Sequence, residues 1–149
     1  MLLNIKEDVI TLKQAAKDWK HAIELAAKPL IDNGYILKGY VEDIIQNVLE
    51  AGPYIVIAPH VAIPHARPNA NVLKNVIGIC TLENSINFGN EINDPVKYIF
   101  ILVSTSNENH LQGLEDLSEL LEDDEFYKML DNSKNAIEII KFLESKGEK

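Results

Sequence analysis

The sequence predicts a single-domain α/β sandwich, a sheet of apolar strands buried against helices. Val76–Leu82 and Tyr98–Val103 are short and almost continuously apolar, as strands covered on both faces are. Around them lie segments whose apolar residues recur at helical spacing. At 149 residues, without a repeat, a low-complexity tract or a long linker, the chain fits one domain over residues 1–149.

In chain order, residues 12–32 read as a helix. Leu12, Ala15, Ala16, Trp19, Ile23, Ala26, Ala27 and Leu30 fall on one stripe, Thr11 is placed to cap its start, and Pro29 to break or kink its end. His21 lies off that stripe, on the solvent side. Asn33-Gly34 forms a turn, and a helix over about 39–51 points Tyr40, Ile44, Ile45 and Val48 inward, ending near Gly52. Gly52–Pro68 is extended or irregular, since it holds four of the six prolines. Pro68–Asn71 is loop, and Val76–Leu82 the first internal strand. Gly89-Asn90 marks a turn in the polar Asn84–Pro95 segment, and Tyr98–Val103 is the second strand. A helix capped by Asn107 follows, with Leu111, Leu114, Leu117, Leu120 and Leu121 on one face; Glu115–Glu125 reads as its solvated acidic side. The last helix covers about 134–144 through Ala136, Ile137, Ile139, Ile140, Phe142 and Leu143.

Composition narrows the function. A formal net charge of −9 disfavours a nucleic-acid surface, which needs a basic stripe to displace counterions, and docking on anionic lipid. It would steer a partner with a basic face toward this chain. No basic-then-apolar leader opens the sequence and no run approaches the ~20 apolar residues of a membrane span, so neither a signal peptide nor membrane insertion is expected. The single cysteine, Cys80, lies inside an apolar strand; it reads as a buried structural thiol, and a chain without an internal disulfide fits a reducing, cytoplasmic setting.

The chemistry concentrates in Pro53–Pro68. The run contains His60, His65 and the sole arginine, Arg67, among fourteen basic residues. In an extended chain residues two apart share a side, so His65 and Arg67 face one way and Ala66 the other. A neutral imidazole is a nucleophile, and a guanidinium offers a planar fork of donors to phosphate oxygens. His65 also fits the plainer description of a hydrogen-bonded structural histidine, and residue type alone leaves both open. His110 sits in the first turn of a helix that directly follows a strand. Open amides and the positive end of the helix dipole favour an anion there and hold an imidazole neutral, although His110 could equally just close the helix start. In open α/β sheets, sites gather beyond strand ends.

Gly52-Pro-Tyr-Ile-Val-Ile-Ala-Pro-His-Val-Ala-Ile-Pro-His-Ala-Arg-Pro68, together with Asn93-Asp-Pro-Val96 and Thr105-Ser-Asn-Glu-Asn-His110, resembles the enzyme IIA components of the sugar phosphotransferase system. The branch is the mannitol/fructose one, nearest the ascorbate-type IIA proteins, and the similarity runs from about residue 10 to 145. The resemblance implies a mixed β-sheet flanked by helices on both faces. It implies a cytoplasmic phosphotransferase that needs neither cofactor nor metal. His65 would be phosphorylated by the carrier HPr and would pass the group to a IIB component. His110 would stabilise the phosphoryl group by hydrogen bonding, and Arg67 would hold its oxygens. His60 departs from the family pattern, which has glycine or another small residue there, and takes no role from it.

Two rivals remain at this level. One is a regulatory module of the same fold, whose phosphorylated and unphosphorylated forms bind different partners. The other is a metal-dependent hydrolase built on His60, His65, His110 and Glu108; zinc sites use three such ligands plus water, but a five-residue spacing puts His60 and His65 on opposite sides of an extended run.

Overall fold

The computed structural model describes residues 5–147. Its centre is a mixed five-stranded sheet, made of β1 (Ile10–Gln14), β2 (Val56–Ala58), β3 (Val61–Ala62), β4 (Val76–Ile86) and β5 (Val96–Val103). The spatial order is β1-β4-β5-β3-β2. β1 runs parallel to β4 and β3 parallel to β5, whereas β4/β5 and β2/β3 are antiparallel. Helices α1 (Trp19–Asp32) and α2 (Lys38–Ala51) precede β2; α3 (Asn107–Leu120), α4 (Asp124–Asn132) and α5 (Ala136–Gly147) follow β5.

Residues 76–82 of β4 and 98–103 of β5 are almost wholly apolar because each face of these stretches meets its own core. On one side Cys80, Leu82, Ile99, Ile101 and Val103 pack with Ile23, Leu30, Tyr40 and Ile44 of α1 and α2. On the other, Ile77, Ile79, Tyr98, Phe100 and Leu102 pack with Leu117, Leu120, Phe126, Leu130 and Ile139 of α3, α4 and α5. Side chains along a strand alternate in direction, so β5 divides its residues between the two cores. Gly78 lies where α1 crosses β4: a Cβ there would come within 2.7 Å of Leu30 Cδ1. Cys80 is fully buried, and burial pushes its thiol up to about 11, far from the reactive range. Among the described residues no helix is long and apolar enough to cross a membrane.

Several boundaries differ from those read off the sequence. Residues 10–14 are a strand, with Thr11 paired to Cys80 in β4, so Thr11 caps nothing. α1 starts at Trp19, and Asp18 caps it by accepting the His21 amide at 2.8 Å. Leu12 and Ala16 kept helical spacing with Trp19 only by coincidence, since Leu12 packs in one core and Ala16 in the other. His21 is part-buried rather than wholly solvated, and its Nδ1 accepts the Lys17 amide at 3.0 Å. Ser106, not Asn107, caps α3. The acidic run does not form one solvated helix face: Asp116 is buried and accepts from Gln112 Nε2 at 3.0 Å. The chain then breaks at 121–123, and Asp123 caps α4, a separate helix seated by Phe126 and Leu130.

Candidate active site

β3 and β5 are parallel neighbours, so their C-terminal ends open at the same edge of the sheet. The chain leaving β3 carries His65, and the chain leaving β5 enters α3 and carries His110. Their imidazole centroids lie 5.0 Å apart, tilted by 51°. Strand polarity thus brings together two histidines 45 residues apart in sequence. Both line an open cleft of about 810 Å³, with Asp43, Asn47 and Glu50 of α2, Tyr54, and Arg67. Arg67 is the only lysine or arginine among its lining residues.

The His65 ring is held from two sides. Its Nδ1 lies 2.7 Å from the Ile63 carbonyl oxygen. A carbonyl can only accept, so Nδ1 carries the proton and Nε2 keeps its lone pair. Tyr54 sets its ring edge-on against the imidazole, with centroids 5.3 Å apart, and its hydroxyl donates to the His65 carbonyl at 2.8 Å. Burial holds the His65 pKa below its ordinary value, outweighing the carbonyl bond, which acts the other way. His110 is lowered too, first by burial and then by its electrostatic interaction with His65, where the sequence had pointed to the helix end. His110 Nδ1 is buried without a hydrogen-bond partner. Held toward the neutral form, each imidazole keeps one lone pair and one N–H donor.

The backbone around His65 is anchored by residues the sequence had not singled out. Ala66 turns inward as expected and is buried. Its amide donates to the Tyr40 hydroxyl at 3.1 Å, and that hydroxyl donates to the Leu102 carbonyl at 2.8 Å. Beyond Arg67, Asp43 Oδ2 accepts from the side chains of Asn69 at 2.9 Å and Asn71 at 3.2 Å. Tyr40 had been legible only as a core residue; Asp43 and Asn47 lie three and seven residues on, along the same helix face.

His60 does not line the cleft. It sits in the β2–β3 turn at φ +68°, a region that suits glycine, which accounts for the small residue expected there. Its Nδ1 donates to the Pro95 carbonyl at 2.8 Å. Among the described residues no group of three or more His, Cys, Asp or Glu is arranged to hold a metal.

Residues 4–146 match the family described as phosphoenolpyruvate-dependent sugar phosphotransferase system, EIIA 2. The chain belongs to this family. EIIA proteins are phosphoryl carriers of that system, with phosphotransferase-type activity, and they interact with HPr and IIB partners. The chain is 37% identical over 122 residues to the ascorbate-specific PTS system EIIA component of Mycoplasma pneumoniae, covering 81% of this chain and 76% of the relative. It is 35% identical over 125 residues to the mannitol-specific cryptic phosphotransferase enzyme IIA component of Escherichia coli K12, covering 83% and 84%. The solution structure of that mannitol-specific cryptic enzyme IIA, CmtB of Escherichia coli, superposes with a TM-score of 0.77 at 31% identity over 91% of both chains. This EIIA therefore has relatives of similar identity whose names carry different sugars.

Proposed function

We propose that this EIIA accepts a phosphoryl group from phosphorylated HPr on Nε2 of His65 and hands it to the IIB component of an ascorbate-type transporter. The observation that carries this reading is the Nδ1–H bond to the Ile63 carbonyl, which leaves Nε2 as the nucleophile, 5.0 Å ring to ring from His110. In the forward step the Nε2 lone pair attacks phosphorus in line. The P–N bond of the donor phosphohistidine breaks, and its electron pair returns to the donor ring. Transfer onward repeats the exchange with His65 as the leaving group. The transition state is loose, so the protein's part is positioning and the stabilisation of charge on the equatorial oxygens. Arg67 and the His110 imidazole are the groups assigned to those oxygens. The ascorbate assignment is supported by Arg67 following the histidine and by the 37% identity to the ascorbate-specific relative.

The test is incubation with phosphoenolpyruvate, enzyme I and HPr. The expected product is an acid-labile, alkali-stable phosphoprotein that passes its label to an ascorbate-type IIB faster than to a mannitol-type one. Undiminished labelling of His65→Ala overturns the site. Label that no IIB accepts would instead favour a regulatory module.

A further inference from the structure

Tyr40 and Asp43 stand three residues apart on α2, on the face turned toward the His65–Asn71 segment, and each takes hold of it at a different point. The Tyr40 hydroxyl is fully buried and serves as a joint: it accepts the Ala66 amide at 3.1 Å and donates to the Leu102 carbonyl at 2.8 Å. Ala66 is the residue between His65 and Arg67. Leu102 lies at the end of the strand that leads to His110, and its own amide bonds the Pro64 carbonyl at 3.0 Å. One hydroxyl therefore ties the acceptor segment to the strand that leads into the helix bearing the second histidine. Asp43 secures the far side of Arg67. Its Oδ2 accepts from Asn69 and Asn71, while Asn69 also donates to the Arg67 carbonyl at 3.2 Å and accepts the Asn71 amide at 2.7 Å. Residues 63–69 belong to no helix or strand, so these bonds replace the regular pairing that would otherwise fix the backbone.

We infer that Tyr40 and Asp43 are positioning residues for phosphoryl transfer: they hold His65 and Arg67 at a fixed separation and in register with His110 without touching the phosphoryl group. The kinetic part of the inference rests on His65 being the acceptor. The driving force is geometric: a displacement near 1 Å at a reacting centre costs up to about 100-fold in rate. Phenylalanine at position 40 keeps the ring but removes the joint, and alanine at 43 releases both asparagines.

The experiment measures single-turnover transfer from phosphorylated HPr over a range of donor concentrations, and the His65 ring tautomer by ¹⁵N NMR without any donor. In Tyr40→Phe and Asp43→Ala the saturating rate is expected to fall about tenfold, with half-saturation within about twofold of wild type. The Nδ1–H tautomer of His65 should lose its dominance in Tyr40→Phe. Asp43→Asn, whose side-chain carbonyl still accepts from both asparagines, should recover most of the rate. Wild-type rate and tautomer in a folded Tyr40→Phe would overturn the role of Tyr40. An Asp43→Ala protein with wild-type saturating rate, or no recovery in Asp43→Asn, would overturn that of Asp43. Should Tyr40→Phe not fold, 3-fluorotyrosine at 40 keeps the shape and weakens the hydroxyl as acceptor; an unmoved tautomer there also counts against it. A wild-type protein labelled elsewhere than His65 would refute the functional reading, while the tautomer still judges Tyr40.

Discussion

Gly39 lies in the first turn of α2, beneath the asparagine pair that Asp43 holds. A Cβ added there would fall 2.6 Å from Asn71 Oδ1, 2.7 Å from its Nδ2 and 2.8 Å from its Cγ, so in Gly39→Ala the Asn71 carboxamide must swing away. Two terms oppose each other. Alanine in place of a helical glycine gains roughly 0.5–1 kcal/mol. Losing a hydrogen bond to a carboxylate costs roughly 1.5–3 kcal/mol. The bond lost is the longer of the two on Asp43, at 3.2 Å, and Asn69 keeps the other, so the lower end applies. The net is a destabilisation of about 1 kcal/mol, or a Tm lower by roughly 2–4 °C for a chain of this size. Urea and thermal denaturation read the stability, and single-turnover labelling reads the site; the rate should fall severalfold because the segment holding Arg67 loses one of its ties. A variant more stable than wild type by roughly 0.5–1 kcal/mol, with an unchanged rate, would mean that Asn71 moves aside freely and that its bond to Asp43 fixes nothing.

Three further outcomes are expected. Burial holds His65 below its ordinary pKa of 6.5, so the folded state binds fewer protons than the unfolded chain near that value. The resulting stability is fully present above pH 6.5 and declines as pH falls from there through the folded pKa; an NMR titration of the His65 ring should give a midpoint below 6.5, and one at or above it would refute the burial argument. His110→Ala should bind HPr normally yet transfer about 100-fold more slowly, the scale of losing one donor to a developing charge; wild-type transfer to IIB would remove His110 from the site. Phe126 is fully buried and stacks on Phe142 with centroids 6.0 Å apart, so Phe126→Ala should cost about 3–5 kcal/mol while leaving the labelling rate per folded molecule within about twofold, as denaturation and labelling of one sample will show.

The strands legible in the sequence were those that apolar burial writes twice over. Val76–Leu82 and Tyr98–Val103 face a core on each side, so they are almost wholly apolar, with the one threonine, Thr81, buried among them. β1 was hidden because it is short, and its Leu12 shares helical spacing with residues of α1. α4 was hidden by the acidic residues around Asp123, which act as a break and a cap where composition suggested one long solvated face. At the site, His65, Arg67 and His110 were legible because their residue types are unusual for their surroundings. Their meeting follows from β3 and β5 being parallel, a pairing that no local pattern encodes. Tyr40 could not be found from sequence at all: as an aromatic on the apolar stripe of α2 it satisfies the core, and only its hydroxyl contacts, 26 and 62 residues away, reveal a second task.

A carrier must release what it binds, and the charge of the cleft bears on that. The lining sets one guanidinium, Arg67, against two carboxylates, Asp43 and Glu50, with both imidazoles held toward the neutral form by burial. A phosphoryl group bearing nearly two negative charges therefore enters a site with no net positive charge to trap it. In the proposed reaction its retention would come from the covalent bond to nitrogen and a few directed hydrogen bonds, lost together when the bond to Nε2 breaks. The same economy explains the framework behind the site. With so little electrostatic attraction to draw the reacting groups together, their alignment has to be built into the backbone beforehand, by the buried hydroxyl of Tyr40 and the part-buried carboxylate of Asp43.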